Sequence, residues 1–167
     1  MSLSDLLCCA VLLDGGPSST KGDLVEELLT HLAEAGHVTH ADIPALRDAV
    51  LRREQLGSTG IGRGLAIPHA RYASLSRALG ILAVCRQPVE FDSLDGEPVD
   101  LIVLVLAPPA EPGRHLGAVA RDGERLLRCL ADVAFCQRLR QVKLAECVDP
   151  ERWLREILDD HSSSSPF

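Results

Sequence analysis

Aromatic side chains make up only 3% of this 167-residue chain, so its core must be assembled from Leu, Val, Ile and Ala. Basic charge is also in deficit: 17 Lys and Arg stand against 24 Asp and Glu, a net charge of -7. With no basic run anywhere, that balance argues against a nucleic-acid binder; it fits either simple solubility or a basic protein partner. No stretch approaches the roughly 20 apolar residues of a membrane span. Asp5 precedes the first apolar run and no positive region flanks it, so neither a signal peptide nor membrane insertion is expected. The six cysteines contain no C-x-x-C: Cys8 and Cys9 are adjacent and the others scattered. Neither a disulfide framework nor a zinc site is expected from that spacing. Cys85, Cys129 and Cys136 sit among apolar residues and read as small core side chains in a reducing cytosol.

What is present organises into one domain, residues 1–161, with a flexible tail over 162–167. Leu6 to Leu13 is a short apolar run, a strand or a short helix, closed by Asp14-Gly15-Gly16-Pro17. Thr20 opens a helix whose Leu24, Leu28 and Leu32 recur every fourth residue, and Gly36 stops it. Thr39 and Asp42 begin a second helix carrying Ile43, Leu46 and Val50 inward, which Gly57 ends. Strands are predicted over Ala78–Cys85, Val89–Phe91 and Val99–Ala107; the last is apolar on both faces and should lie centrally. Helices follow from about His115 to Cys129, from Asp132 to Arg140, and from Pro150 with Asp149 as N-cap. The order predicts an α/β fold, a mixed central β-sheet flanked by helices on both faces. Gly123 falls inside a predicted helix with no evident purpose.

The densest chemical signal is Gly57-Ser58-Thr59-Gly60-Ile61-Gly62-Arg63-Gly64-Leu65-Ala66-Ile67-Pro68-His69-Ala70-Arg71. Glycines allow close backbone approach and converging N–H groups, which suits an anion. Pro68 biases Ile67 toward an extended conformation, so His69 should be presented at the end of a short strand. A P-loop is excluded because Arg63-Gly64 stands where Lys-Ser/Thr is needed. A dinucleotide fingerprint fails because Leu65 replaces the third glycine and the stretch follows a helix. A displayed histidine beside amide donors and guanidinium groups suggests a nucleophile that carries a phosphoryl group.

The run from Arg53-Glu54 to Gly62, followed by Ala66-Ile67-Pro68-His69, resembles the type-2 IIA domains of the bacterial phosphoenolpyruvate-dependent phosphotransferase system. These are the fructose, mannitol and nitrogen-regulatory IIA proteins. Phe91, Leu106-Ala107-Pro108 and His115-Leu116 follow in the family's order. The resemblance implies a cytoplasmic phosphocarrier in which His69 accepts a phosphoryl group from the histidine-containing carrier protein, HPr. His69 then passes it to a IIB domain or holds it as a signal to a regulated target. It further implies Arg53 and His115 as the other catalytic residues and Ser58, Thr59, Gly60 and Gly62 around the phosphate, with no metal and no cofactor. Arg63 stands where the family often has asparagine; whether it or Arg71 touches phosphate stays open, as does dimerisation. The lack of fused IIB or membrane domains favours a nitrogen-type regulator over a sugar transporter's component. A scaffold that no longer takes phosphate is the remaining alternative. His31, His37, His40 and His161 match nothing in the family.

Overall fold

The computed structural model describes residues 3–109, 117–144 and 149–164. One helical turn, α1 (Leu3–Leu6), leads into strand β1 (Leu7–Gly15), so the first apolar run is mainly a strand. Helix α2 spans Lys21–Glu34 and opens on a reciprocal cap. The Thr20 hydroxyl accepts from the Asp23 N–H at 3.1 Å, and the Asp23 carboxylate accepts from the Thr20 N–H at 3.2 Å. Such a cap contributes about 1 kcal/mol, and hydrogen bonds from the Thr20 N–H and hydroxyl hold the Asp23 carboxyl below its ordinary range. A three-ten turn, His40–Asp42, is capped by Thr39 and precedes α3 (Ile43–Gln55). Three short strands follow, β2 (Gly60–Gly62), β3 (Leu65–Ala66) and β4 (His69–Arg71), then the long β5 (Leu79–Val89) and β6 (Val99–Ala107). Helices α4 (Gly117–Ala131), α5 (Val133–Arg140) and α6 (Pro150–Ser164) complete the order.

The sheet is mixed, with strand order β1-β5-β6-β3-β2, and β4 also pairs with β6. β6 is central, as its two-sided apolar pattern predicts. Ile102, Leu104 and Leu106 join a core with Leu24, Leu28 and Leu32 of α2 and Leu46 and Val50 of α3. Leu101 and Val103 join a second core with Leu126, Leu139, Leu154 and Leu158 from α4, α5 and α6. Helices therefore cover both faces, and the four-residue leucine spacing of α2 is wholly spent on packing.

Four expectations need correcting. One strand, Leu79–Val89, replaces the two read at 78–85 and 89–91 and stops before Glu90 and Phe91, because the register slip between Val84 and Val89 absorbs Pro88, which has no N–H for a ladder. His69 opens a short strand rather than ending one. α6 continues through Ser164, three residues into the segment read as tail. Cys129 is half-buried at the edge of a core, although Cys85 and Cys136 are buried as expected. Burial pushes the Cys85 thiol up to about 12, which keeps it unreactive. Asp149 caps α6 as read from the sequence, and Asp132, read as the first residue of its helix, is the N-cap of α5. Among the described residues no helix is long and apolar enough to cross a membrane.

Two glycines, one at the end of β1 and one after α2, separate steric crowding from backbone strain. Both have positive φ, 66° at Gly15 and 81° at Gly36. A Cβ at Gly15 would meet the Gln87 carbonyl oxygen at 2.3 Å, whereas one at Gly36 meets nothing within 4 Å. Gly36→Ala is expected to cost about 1 kcal/mol, from backbone strain alone. Gly15→Ala should cost about 3 kcal/mol or more, because β1 and β5 must part there. Urea unfolding with unchanged slope checks the ordering.

Candidate functional site

The site is built on the side of β6 away from β5. Leu65 and Ala66 of β3 pair in parallel with Leu101 and Ile102, and His69 to Arg71 of β4 pair in parallel with Val105 to Ala107. Between these ladders, the Val105 N–H donates to the Pro68 carbonyl at 3.0 Å. His69 is thus held in register opposite Val105 while its ring stays exposed. Its Nδ1 lies 3.0 Å from the Ile67 carbonyl oxygen. A carbonyl can only accept, so Nδ1 carries the proton and the lone pair of the neutral ring is on Nε2.

His69 shares a cavity of about 400 Å3 with Arg53, Ser58, Thr59 and Arg71, under an apolar rim that includes Ile61 and Leu127. Arg53 comes from the last turn of α3, where one of its guanidinium donors bonds the Gly57 carbonyl at 3.0 Å. Arg71 donates to the Pro108 carbonyl at 3.0 Å. Gly123 of α4 also lines the cavity, and a Cβ there would meet nothing within 4 Å. Gly60 and Gly62 lie in β2 and are not among the lining residues. His115 lies outside the described residues.

The loop's own donors are largely used to build it. The Ser58 hydroxyl donates to the Phe91 carbonyl at 2.6 Å and accepts from the Gly60 N–H at 3.1 Å. The Arg63 N–H donates to Asp95 at 2.9 Å; this bond and one from the Glu97 N–H hold the Asp95 carboxyl below the usual carboxylate range. Arg63 itself sits at φ 56°, in the left-handed region at the tip of the β2–β3 hairpin. Asparagine tolerates that conformation better than arginine.

The residue that sequence reasoning passed over is Glu54. Its side chain is 4% exposed, and it accepts from the Thr59 N–H at 3.2 Å, from the Thr59 hydroxyl, and from Lys21 Nζ at 3.0 Å. Lys21 also lies over the Phe91 ring, 4.8 Å from its centroid. One buried carboxylate therefore ties α2 and α3 to the start of the site loop, and the Thr59 hydroxyl is committed to it. The signal was available: Glu54 continues the buried Leu46, Val50 stripe at the same four-residue step. A charge on an apolar stripe requires a buried partner.

Removing that carboxylate strands two buried Thr59 donors and leaves Lys21 to the exposed Asp92 carboxylate, 3.6 Å away. Glu54→Ala is expected to destabilise the domain by about 3 kcal/mol in chemical unfolding. Glu54→Gln keeps an oxygen for Thr59 but loses the charge opposite Lys21, and should fall between it and wild type.

Residues 13–149 match the family described as phosphoenolpyruvate-dependent sugar phosphotransferase system, EIIA 2. A nitrogen regulatory protein of Bradyrhizobium diazoefficiens is 34% identical over 148 residues, 89% of this chain and 92% of that one. The crystal structure of nitrogen regulatory protein IIA-Ntr from Neisseria meningitidis is 32% identical with a TM-score of 0.65, over 89% of this chain and 92% of that one. The mannitol IIA enzyme of Escherichia coli, solved in complex with phosphorylated mannitol IIB, shares the fold at 18% identity. Its TM-score is 0.62, over 89% of this chain and 94% of that one.

Proposed function

Because the chain belongs to the EIIA type-2 family of the phosphoenolpyruvate-dependent phosphotransferase system, we propose that His69 is its phosphoryl acceptor, through Nε2. One observation carries this reading: the ring is exposed, its Nδ1 is engaged by the Ile67 carbonyl, and it shares a cavity with Arg53. The donor is the phosphohistidine of an HPr-type carrier. Its N–P bond breaks as the bond to Nε2 forms, and the electron pair returns to the donor imidazole, so no metal or nucleotide is needed. Such a transfer depends on in-line positioning and on neutralising the equatorial oxygens. Arg53 supplies a planar fork for those oxygens, Arg71 adds charge at the rim, and His115 completes the set as the sequence suggests. The Ser58 and Thr59 side chains and the Gly60 and Gly62 backbone shape the loop on which the phosphoryl group rests. The apolar rim at Ile61 and Leu127 is the surface presented to a docking carrier.

The phosphorylated protein works in the cytoplasm, as a nitrogen-type regulator whose phosphorylation state changes its binding to a target protein. The similarity to two nitrogen regulatory proteins over about nine-tenths of the chain supports that choice. Transfer to the cysteine of a sugar-specific IIB domain is the second reading, supported by the shared fold of a IIA protein that forms such a complex.

Incubation with phosphoenolpyruvate, enzyme I and HPr should add one acid-labile phosphoryl group by intact mass, and His69→Ala should abolish it. An unmodified wild-type chain leaves only the scaffold reading. Arg53→Lys should slow phosphorylation about tenfold or more, because a point charge replaces a bidentate fork. His115→Ala should slow it without unfolding the domain, and a normal rate would remove His115 from the site. Onward transfer to a fructose- or mannitol-type IIB cysteine would favour transport over regulation.

A further inference from the structure

We propose that Cys8, Cys9 and His37 form a binding site for a thiophilic divalent cation of the zinc class. The spacing of the cysteines argues against zinc, and regular strand geometry would send adjacent side chains to opposite faces of the sheet. The backbone departs from that geometry at this point. Leu7 lies opposite Gly80 and Cys9 opposite Ile81, so two steps along β1 match one along β5, a β-bulge at Cys8. Both cysteines consequently pack against the same core, the one facing α2 and α3. The Cys8 thiol donates to the Gly80 carbonyl at 3.3 Å. Arg155 of α6 donates to the carbonyls of Leu7 and Cys8, which fixes the bulge from outside.

His37 arrives from the other direction, and its place is equally determined. At the end of α2 the Gly36 N–H bonds the Ala33 carbonyl at 3.0 Å and the His37 N–H bonds the Leu32 carbonyl at 2.9 Å. With Gly36 in the left-handed conformation this is a Schellman closure, which places the next residue in a defined position. The two sulfurs and a ring nitrogen of His37 all lie within 4.8 Å of one another. Around tetrahedral zinc, with sulfur at about 2.3 Å and nitrogen at about 2.0 Å, ligand atoms stand about 3.5–3.8 Å apart. Rotamer shifts of about an ångström close the set.

All three residues are half-buried, so the ligands are held yet reachable. Cys8 and Cys9 line a cavity of about 520 Å3 together with His31 and Glu34, which gives a hydrated ion its entry path. On binding, both thiol protons leave to solvent and two Zn–S bonds form. The imidazole binds through one nitrogen and keeps its proton on the other, and water takes the fourth position. No electron is transferred, and the site is independent of His69.

The test uses the full reduced, metal-free chain, titrated with Zn2+ and with Co2+ as a spectroscopic substitute. One equivalent should bind, with thiol protons released and a thiolate-to-cobalt charge-transfer band beside tetrahedral d–d absorption. Cys8→Ser, Cys9→Ser and His37→Ala should each weaken binding about tenfold or more, whereas Cys129→Ser should leave it unchanged. The proposal is overturned if the charge-transfer band is missing, or if Cys8→Ser and His37→Ala bind as wild type does. Circular dichroism identifies any cysteine variant that fails to fold. In that event His37→Ala, on a turn at the helix end, decides: lost binding supports the site and retained binding overturns it.

Discussion

The edge of β6 is the constraint on which the rest of the molecule depends. This strand is covered on both faces by separate cores and gives one side to β5, so its backbone position is fixed three ways. Its other side then takes β3 and β4 in turn, and the Val105 N–H bridges them by bonding the Pro68 carbonyl. A chain segment too short to be a stable strand anywhere else is thereby given a rigid register. His69 owes its presentation to this ladder, because its neighbours Ala70 and Arg71 continue the pairing. Placing a reactive group on rigid scaffold, with loops only at its flanks, suits phosphoryl transfer, where positioning is most of the catalysis.

A second anchor works by charge. Glu54 lies where a purely apolar core would have placed another leucine, and it is the carboxylate on which α2, α3 and the site loop converge. Burying it carries a desolvation cost that its contacts with Lys21 and Thr59 must offset. What the protein gains is specificity of position. The loop beginning at Thr59 has one place to sit relative to Arg53, whose guanidinium emerges from the same helical turn. The internal bonds of Ser58 and Arg63 have the same effect further along. Many of the loop's polar groups thus serve its shape.

Much of this was legible in the sequence. The Leu24, Leu28, Leu32 spacing, the two-sided Val99–Ala107 run and the Asp149 cap are local patterns that tertiary structure did not override. The exposed histidine after Pro68 and its proximity to Arg53 were also readable, the first from backbone chemistry and the second from the family motif. Other features are set by partners distant in sequence. β2, β3 and β4 are two or three residues each, too short to show any period, and exist through their pairing. β5 runs on through Pro88 because a register slip accommodates the missing donor. The bulge at Cys8 is likewise invisible until β1 is laid against β5, so the two adjacent cysteines gave no hint of a common face.

The central claim is that the Ile67 carbonyl, by holding the Nδ1 proton of His69, leaves Nε2 as the nucleophile. Nitrogen-15 NMR of the phosphorylated protein with labelled histidine tests it most directly. Phosphorus coupling should appear at Nε2 of His69, with Nδ1 still protonated. Coupling at Nδ1, or at any other histidine, would contradict the account.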